Sequence, residues 1–455
     1  MMGDGLLAAL FRIWRHDRAD DEGRSLTGRR RLEALLATAR ERSPFYAERC
    51  ANRPTDAGLE AFPPVTKEEL MARFDDWLTD PSVRLEDVRR FMSDRRNIGK
   101  ALGGRYTPFA TSGSTGSPAI VLYDRRAMSV FLALGAIRSL PRRADLLAMA
   151  RTGRRTAGLY ASGGFYLSGG SMQGVQTRFP WKKRQLRLVS VLEPLASIVR
   201  ELNDFQPALL GGYPSALELL IDEAEEGRLR IAPAAIMAGG ELLSAELRTR
   251  LAETFHCSVQ STYSCTEGGV VACECALGHL HVNEDWVIVE PVDANGDPVP
   301  DGVRSDKILL TNLANLIQPV IRYVVTDRII MHREGCACGK TSPWLEIEGR
   351  SDDILDFPTD SGRVRISPLA IYACVRETSG LRRFQLVQHE DGRLELRIEC
   401  AEGFPREKVF DEARSRLEAI LAANGISGAA VSLSAEPPAV DPESGKYRHV
   451  LKKKA

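Results

Sequence analysis

Residues 107–124, TPFATSGSTGSPAIVLYD, crowd serine, threonine, glycine and proline into positions 111–118, directly before an apolar run. Such a stretch buries almost nothing, and its glycines and serines carry a high ordering cost when held still, so core packing does not account for it. Consecutive backbone N–H groups in a glycine-rich turn form a concave nest for an anion, and hydroxyls add donors, which makes phosphate the natural occupant. The segment is not a Walker A loop, because Ser117 stands where a lysine would help and no Gly-Lys-Ser/Thr is present. Read in isolation, the same stretch also suits a surface linker.

Four further clusters share this polar character. AGGELL (238–243) sets two glycines at the end of an apolar run, and TYSCTEGG (262–269) places an aromatic ring, hydroxyls and a carboxylate at another strand end. Ligands of open α/β sheets sit at such strand ends. IRYVVTDRI inserts Thr326 and Asp327 into a β-branched run, and GKYRHVLKKKA puts Lys446 after Gly445 near the C-terminus. Taken singly, each reads as a turn, a cap or a solvated tail.

CECALGHLH (273–281) and CACGK (336–340) bring Cys273, Cys275, Cys336 and Cys338 together with His279 and His281 in two polar loops. Tetrahedral zinc takes four such ligands. Cys-x-Cys is tighter than the usual Cys-x-x-Cys, so spacing alone leaves metal and free surface thiols equally open. Cys50, Cys257, Cys374 and Cys400 are scattered among apolar neighbours, and Cys265 reads as a packing residue rather than a nucleophile. A long chain with an odd total of nine cysteines carries no disulfide framework.

The elements that must position these groups follow from length and pattern. At 455 residues the chain suggests two unequal domains. Lysine plus arginine equals aspartate plus glutamate at 61 each, so no overall field favours nucleic acid or a membrane surface. The opening MMGDGLLAALFRIWRHDRADDEG lacks a basic leader and a cleavage site, which makes a cytoplasmic protein the expectation.

Helices lead: RRRLEALLATARERSPFYAERC stops at Ser43-Pro44, and VTKEELMARFDDWL starts with a Thr-x-x-Glu capping box. From about Pro118, β-rich runs (AIVLYD, LRLVSVL, AAIMAGGEL, CSVQSTYS) alternate with amphipathic segments such as PSALELLIDEAEEG, the pattern of a largely parallel α/β sheet. Beyond Glu284, WVIVEPVD, DKILLTNL and VIRYVVTDRIIM follow one another without helices, which predicts an antiparallel, barrel-like addition. The fold class is therefore α/β: a large N-terminal domain of mixed sheets flanked by helices, a β-barrel-like part, and a small α+β C-terminal domain. The division falls at 1–350, a hinge at 351–353 and 354–455. In the small domain RRFQLVQHEDGRLELRIEC reads as a hairpin around Asp391-Gly392, REKVFDEARSRLEAILAAN as a helix and AAVSLSAEP as a strand.

The ordered set of a Ser/Thr/Gly loop, Gly-Gly-Glu, Tyr-x-x-Thr-Glu, Thr-Asp, Gly-Arg-x-Asp-Asp and a late Gly-Lys resembles the acyl-adenylate-forming superfamily. Within it the chain is similar to the phenylacetate-CoA ligase and coenzyme F390 synthetase-like (CapK-like) branch. RERSPFYAERC, FPPVTKEEL, LLGGYPSALELL, GHLHVNEDW, QPVIRYVVTDR and EGRSDDIL extend the likeness over nearly the whole chain.

The resemblance implies roles for particular residues. Thr111, Ser112, Gly113, Ser114, Thr115 and Gly116 would cover the β and γ phosphates of ATP. Gly239, Gly240 and Glu241 would border the adenine, with Tyr263 stacked near it. Thr266 would contact the α-phosphate and Glu267 would hold Mg²⁺, while Asp327 would bind the ribose hydroxyls and Arg350 would add a cation. Lys446 would bridge carboxylate and phosphate, and Asp352 would be the hinge about which the small domain, made mobile by it, turns for the second step. Tyr160, Phe165 and Tyr166 match in position an aromatic segment lining the acid pocket of relatives. Among the metal candidates the resemblance selects Cys275, His281, Cys336 and Cys338 for a structural Zn²⁺, with Cys273 or His279 able to replace the first two.

The function implied is an AMP-forming acid–thiol ligase acting on a small, aromatic carboxylic acid with CoA as acceptor. An acid–amine ligase and a non-catalytic nucleotide-binding zinc scaffold are the competing readings. Lysine is common in relatives where this chain has Ser117, so weaker ATP binding is expected. The partners expected are the acid and CoA or an amine, with no nucleic acid or membrane; a homodimer is compatible with this reading.

Overall fold

The computed structural model describes residues 5–54, 57–111, 119–140, 142–350, 355–359, 362–366, 371, 374–375, 377–426, 429–440 and 447–452. Local chemistry sets the first helices. Asp20 caps the helix Asp21–Arg42 by accepting from the Gly23 N–H, and the helix ends at Ser43, where the backbone is extended and Pro44 opens the next one. Thr66 and Glu69 form the expected capping box at the head of the helix Lys67–Ala72.

A hairpin of β1 (Thr107–Ala110) and β2 (Ile120–Tyr123) precedes the main sheet. That sheet is built on β3 (Thr156–Tyr160), β4 (Leu186–Ser190), β5 (Leu209–Gly212), β6 (Ala235–Gly239) and β7 (Ser258–Cys265). All five run parallel, in the order β7-β6-β5-β3-β4. The helix Pro214–Glu225 joins β5 to β6 and the helix Ala245–Phe255 joins β6 to β7. β5 is buried along its whole length, as an apolar strand covered on both faces must be.

Beyond β7 the sheet turns antiparallel through β8 (Gly269–Glu274) and β9 (Leu280–Val282). A separate three-stranded antiparallel sheet follows, of β10 (Val287–Val292), β11 (Lys307–Asn312) and β12 (Tyr323–Val325). β13 (Asp327–His332) and β14 (Trp344–Arg350) then return to the edge of the main sheet beside β9. The run VIRYVVTDRIIM is thus two strands in two sheets, parted at Thr326. Among the described residues these strands pair as open sheets and do not close into a barrel.

The NEDW segment ties the N-terminal helices to the sheet. Asp285 is buried and accepts from Arg138 at 2.7 and 3.2 Å, while Arg31 lies 3.5 Å from its carboxylate. The Arg31 guanidinium also sits 3.4 Å from the centre of the buried Trp286 ring, a cation–π contact in a desolvated setting. His16, 7% exposed, packs into the same cluster.

At the other end of the chain, β15 (Leu355–Thr359) and β16 (Gly362–Ile366) form a hairpin. β17 (Leu381–Gln388), β18 (Leu394–Cys400), β19 (Val431–Leu433) and β20 (Val450–Lys452) form a four-stranded sheet, packed against the helix Arg406–Ala423. Gly392 turns the β17–β18 hairpin at a φ of 82° that favours glycine. Among the described residues, the apolar core of this unit draws only on positions between Leu355 and Val450. β20 lies parallel to β17, so part of the basic tail read as solvated is a strand. Among the described residues no helix is long and apolar enough to cross a membrane.

Candidate active site

The carboxyl ends of β5, β6 and β7 open into a cavity of about 770 Å³ lined by Thr111, Glu241, Tyr263, Thr266, Glu267, Asp327 and Tyr447. A parallel sheet places strand ends and following loops at such a crevice, which explains why residues from distant segments meet there.

Glu241 follows β6 across Gly240, whose φ of 83° turns the chain sharply. One Glu241 oxygen accepts from the Ser215 N–H at 3.0 Å, at the start of the helix Pro214–Glu225. The other accepts from the Tyr447 N–H at 2.7 Å. Gly239 cannot carry a side chain without meeting the Thr262 hydroxyl, 2.9 Å from where its Cβ would stand.

The buried Tyr263 hydroxyl donates to Asp327 Oδ2 at 2.5 Å, so its ring is fixed from the Asp327 side. Glu267, 8% exposed, accepts from the Tyr323 hydroxyl at 2.8 Å, and its backbone carbonyl accepts from Asn312 Nδ2 at 2.8 Å. Burial and the Glu267 carboxylate hold the Tyr323 phenol well above its ordinary range, which keeps it a donor. Tyr123 donates to the Thr266 carbonyl at 2.9 Å. Cys265 is pushed up by burial and then by Glu267, so it stays a thiol.

Thr111 closes the base of the hydroxyl-rich loop. Its N–H donates to the Ala119 carbonyl at 2.9 Å, and its hydroxyl accepts from the Ala119 N–H at 2.9 Å. Ser112, Gly113, Ser114, Thr115, Gly116, Asp352 and Lys446 lie outside the described residues. Arg350 stands opposite Asp327 in the register of β13 and β14.

Three groups at this cavity escaped the sequence reading. Tyr323 lines it beside Glu267, and Tyr447 enters it next to Glu241. Lys67 lines the same space as Thr111, with its ammonium 3.6 Å from Glu68. Its position after an N-cap threonine drew attention only to helix capping.

Tyr160, Phe165 and Tyr166 do not line this cavity. Tyr160 packs edge-on against Tyr213 with ring centres 5.3 Å apart, and Phe165 faces Phe91 at 6.5 Å. Burial raises the Tyr160 phenol to about 12. Tyr166 precedes the helix Leu167–Arg178.

The ligand atoms of Cys275, His281, Cys336 and Cys338 lie within 4.8 Å of one another. His281 presents Nε2 3.4 Å from Cys338 Sγ, while its Nδ1 lies 2.9 Å from the Ser342 carbonyl, the pairing that fixes a ligating imidazole. Cys273 points elsewhere, into contact with Ser139 and Asn283 at 3.8 Å. His279 touches Cys336 at 3.2 Å but stacks on Trp344, with ring centres 4.1 Å apart. The donor set and its compactness fit a tetrahedral zinc site.

No family model matches the chain. Phenylacetate-coenzyme A ligase of Thermus thermophilus is 29% identical over 469 residues, covering 92% of this chain and 94% of the relative. Protein CapK of Staphylococcus aureus is 24% identical over 144 residues, 31% of this chain and 30% of that protein. Among solved structures, 2-hydroxyisobutyryl-CoA ligase in the postadenylation state superposes with a TM-score of 0.69 at 20% identity, over 97% of this chain and 92% of that one. The chain is thus similar to phenylacetate-coenzyme A ligase over nearly its whole length and shares the fold of 2-hydroxyisobutyryl-CoA ligase.

Proposed function

We propose that this chain is an ATP-dependent, AMP-forming ligase that activates a small carboxylic acid as its adenylate and passes it to CoA. The observation that carries this reading is the meeting of Thr111, Glu241, Tyr263, Thr266, Glu267 and Asp327 around one cavity entered by Tyr447, the neighbour of Lys446. The likeness to phenylacetate-coenzyme A ligase over nearly its whole length supports the same reaction class.

In the first step the acid's carboxylate oxygen attacks the α-phosphorus and pyrophosphate leaves. In the second the CoA thiolate attacks the acyl carbon and AMP leaves. Gathering like-charged groups is the main obstacle, and donors and cations drawn from several segments would offset it. Loop 112–116 is assigned to the β and γ phosphates, Thr266 to the α-phosphate, Asp327 to the ribose, Glu241 to the adenine border and Lys446 to the carboxylate–phosphate bridge. Mg²⁺ supplies charge neutralisation when bound, and Glu267, a buried carboxylate steadied by Tyr323, is the hard oxygen ligand suited to hold it.

Cys275, His281, Cys336 and Cys338 are assigned to zinc. Four protein ligands leave no open position, so the ion would clip two loops together and take no part in the reaction. The chain is further divided into a large domain (1–350), a hinge (351–353) with Asp352, and a small domain (354–455). The self-contained core between Leu355 and Val450 supports that division. That the acid is aromatic draws its support from the likeness to phenylacetate-coenzyme A ligase and not from Tyr160, Phe165 and Tyr166, which do not line the cavity.

Carboxylate-dependent exchange between ATP and pyrophosphate across a mixed acid library tests adenylation, and CoA-dependent AMP release tests the acceptor. Exchange with no response to CoA would move the acceptor to an amine. No exchange with any acid would overturn the ligase reading in favour of a nucleotide-binding scaffold.

A further inference from the structure

The helix Pro214–Glu225 is gripped at two points by the C-terminal unit. At its first turn Glu241 bridges the Ser215 N–H and the Tyr447 N–H, at 3.0 and 2.7 Å. Two turns on, Asp222 Oδ2 accepts from Arg382 Nε at 2.8 Å and lies 2.6 Å from Arg382 Nη2, with Arg250 3.9 Å from its other oxygen. Asp222 stands seven positions after Ser215, about 10 Å along a helix, so the contacts fix both a position and a direction.

Tyr447 is well suited to transmit such a grip. It is 6% exposed, its hydroxyl donates to the Phe384 carbonyl of β17 at 2.5 Å, and Arg383 covers its ring at 4.6 Å from the centre. Its N–H is therefore presented rigidly from the C-terminal unit. The donor belongs to the backbone and meets a carboxylate, which makes the bond charge-assisted.

We propose that this helix is the docking rail of the C-terminal unit, and that Glu241, Asp222 and Arg382 are positioning residues that set the chain around Lys446 for adenylation. The inference rests on the ligase reading. Tyr447 follows Lys446 directly, so their Cα atoms are ~3.8 Å apart, and holding one constrains the other. Errors of about 1 Å in such placement cost up to a hundredfold in rate. The assignment also gives the Glu241 carboxylate a task distinct from bordering adenine. The Asp222–Arg382 pair is partly exposed, at 24% and 37% of the side chains, so it can release when the unit turns for the second step.

The test separates the half-reactions. Asp222→Arg and Arg382→Asp are each expected to lower carboxylate-dependent pyrophosphate exchange about fivefold, while thioester formation from presynthesised acyl-adenylate and CoA stays within about twofold. The double charge swap is expected to recover the exchange. Glu241→Gln is expected to lower kcat for exchange with KM for ATP unchanged, whereas an adenine contact would raise KM. In the nucleotide-free chain, the Tyr447 amide is expected to exchange its hydrogen faster in Asp222→Arg than in the wild type, a readout independent of catalysis. Equal loss of both half-reactions, no change in either, no recovery in the double swap, or an unchanged Tyr447 amide would each overturn the docking rail. A wild type without exchange on any acid would overturn the ligase reading instead, and the amide measurement would still judge the rail.

Discussion

The Tyr323 hydroxyl donates to Glu267 Oε1 at 2.8 Å, and both side chains are buried. The two residues come from different sheets: Glu267 follows β7 of the main sheet, and Tyr323 opens β12. A donor on one carboxylate oxygen fixes the plane of the other, so Tyr323 would steer the Mg²⁺ proposed for Glu267.

Tyr323→Phe should therefore weaken catalysis without unfolding the chain. A hydrogen bond to a charged group is worth about 1.5–3 kcal/mol, which corresponds to a loss of tenfold or more in carboxylate-dependent exchange. Titrating Mg²⁺ in the exchange assay checks it: the variant should need more Mg²⁺ to reach half its maximum rate.

Purified chain should contain about one zinc ion per polypeptide by elemental analysis. Cys336→Ser should lose it and melt at a lower temperature, because metal binding at a structural site is folding free energy. Cys273→Ser should keep the ion, since Cys273 faces Ser139 and Asn283 rather than the cluster. Full metal occupancy in Cys336→Ser would contradict the assignment.

Asp285→Asn should destabilise the chain by about 3–5 kcal/mol, since it removes the buried carboxylate that the poorly exposed Arg31 and Arg138 guanidinium groups share and leaves Arg138 with Asp17 alone. Urea unfolding at neutral pH measures it. A loss below about 1 kcal/mol would show that the NEDW segment is not the pin between the N-terminal helices and the sheet.

Burial, helped by the Arg138 and Arg31 charges and opposed by the Asp285 and Asp17 carboxylates, lowers the His16 imidazole below its ordinary range. The folded chain therefore keeps His16 neutral at pH values where the unfolded chain binds a proton. Its contribution to stability is complete above about pH 6.5 and falls as the pH drops below that, with a slope of up to about 1.4 kcal/mol per pH unit. His16→Gln should flatten the decline between pH 6.5 and 5.5 in chemical denaturation, and an unchanged slope would assign it to another group.

The site was legible where its chemistry is local. Strand-end segments such as AGGELL and TYSCTEGG carry their glycines, hydroxyls and carboxylates within a few residues, and the Thr66–Glu69 capping box is fixed by one turn of helix. What stayed hidden depends on pairing between distant segments. Nothing beside Tyr323 in QPVIRYVVTDR says that its hydroxyl meets Glu267, because that follows from how β12 lies against the loop after β7. The same run reads as one strand, yet β11 takes its first half and β14 its second. Val450–Lys452 is three residues long and set between Arg448-His449 and further lysines, too short to show alternation, and only the parallel edge of β17 makes it a strand.

The knot between Thr111 and Ala119 isolates what hangs from it. With the root of the hairpin already fastened, lengthening the insert costs little, since closure entropy grows only slowly with size. The segment can thus be exchanged like a cartridge: if it holds polyphosphate as proposed, a basic residue grafted at position 117 is expected to tighten ATP binding while the strands on either flank keep their pairing.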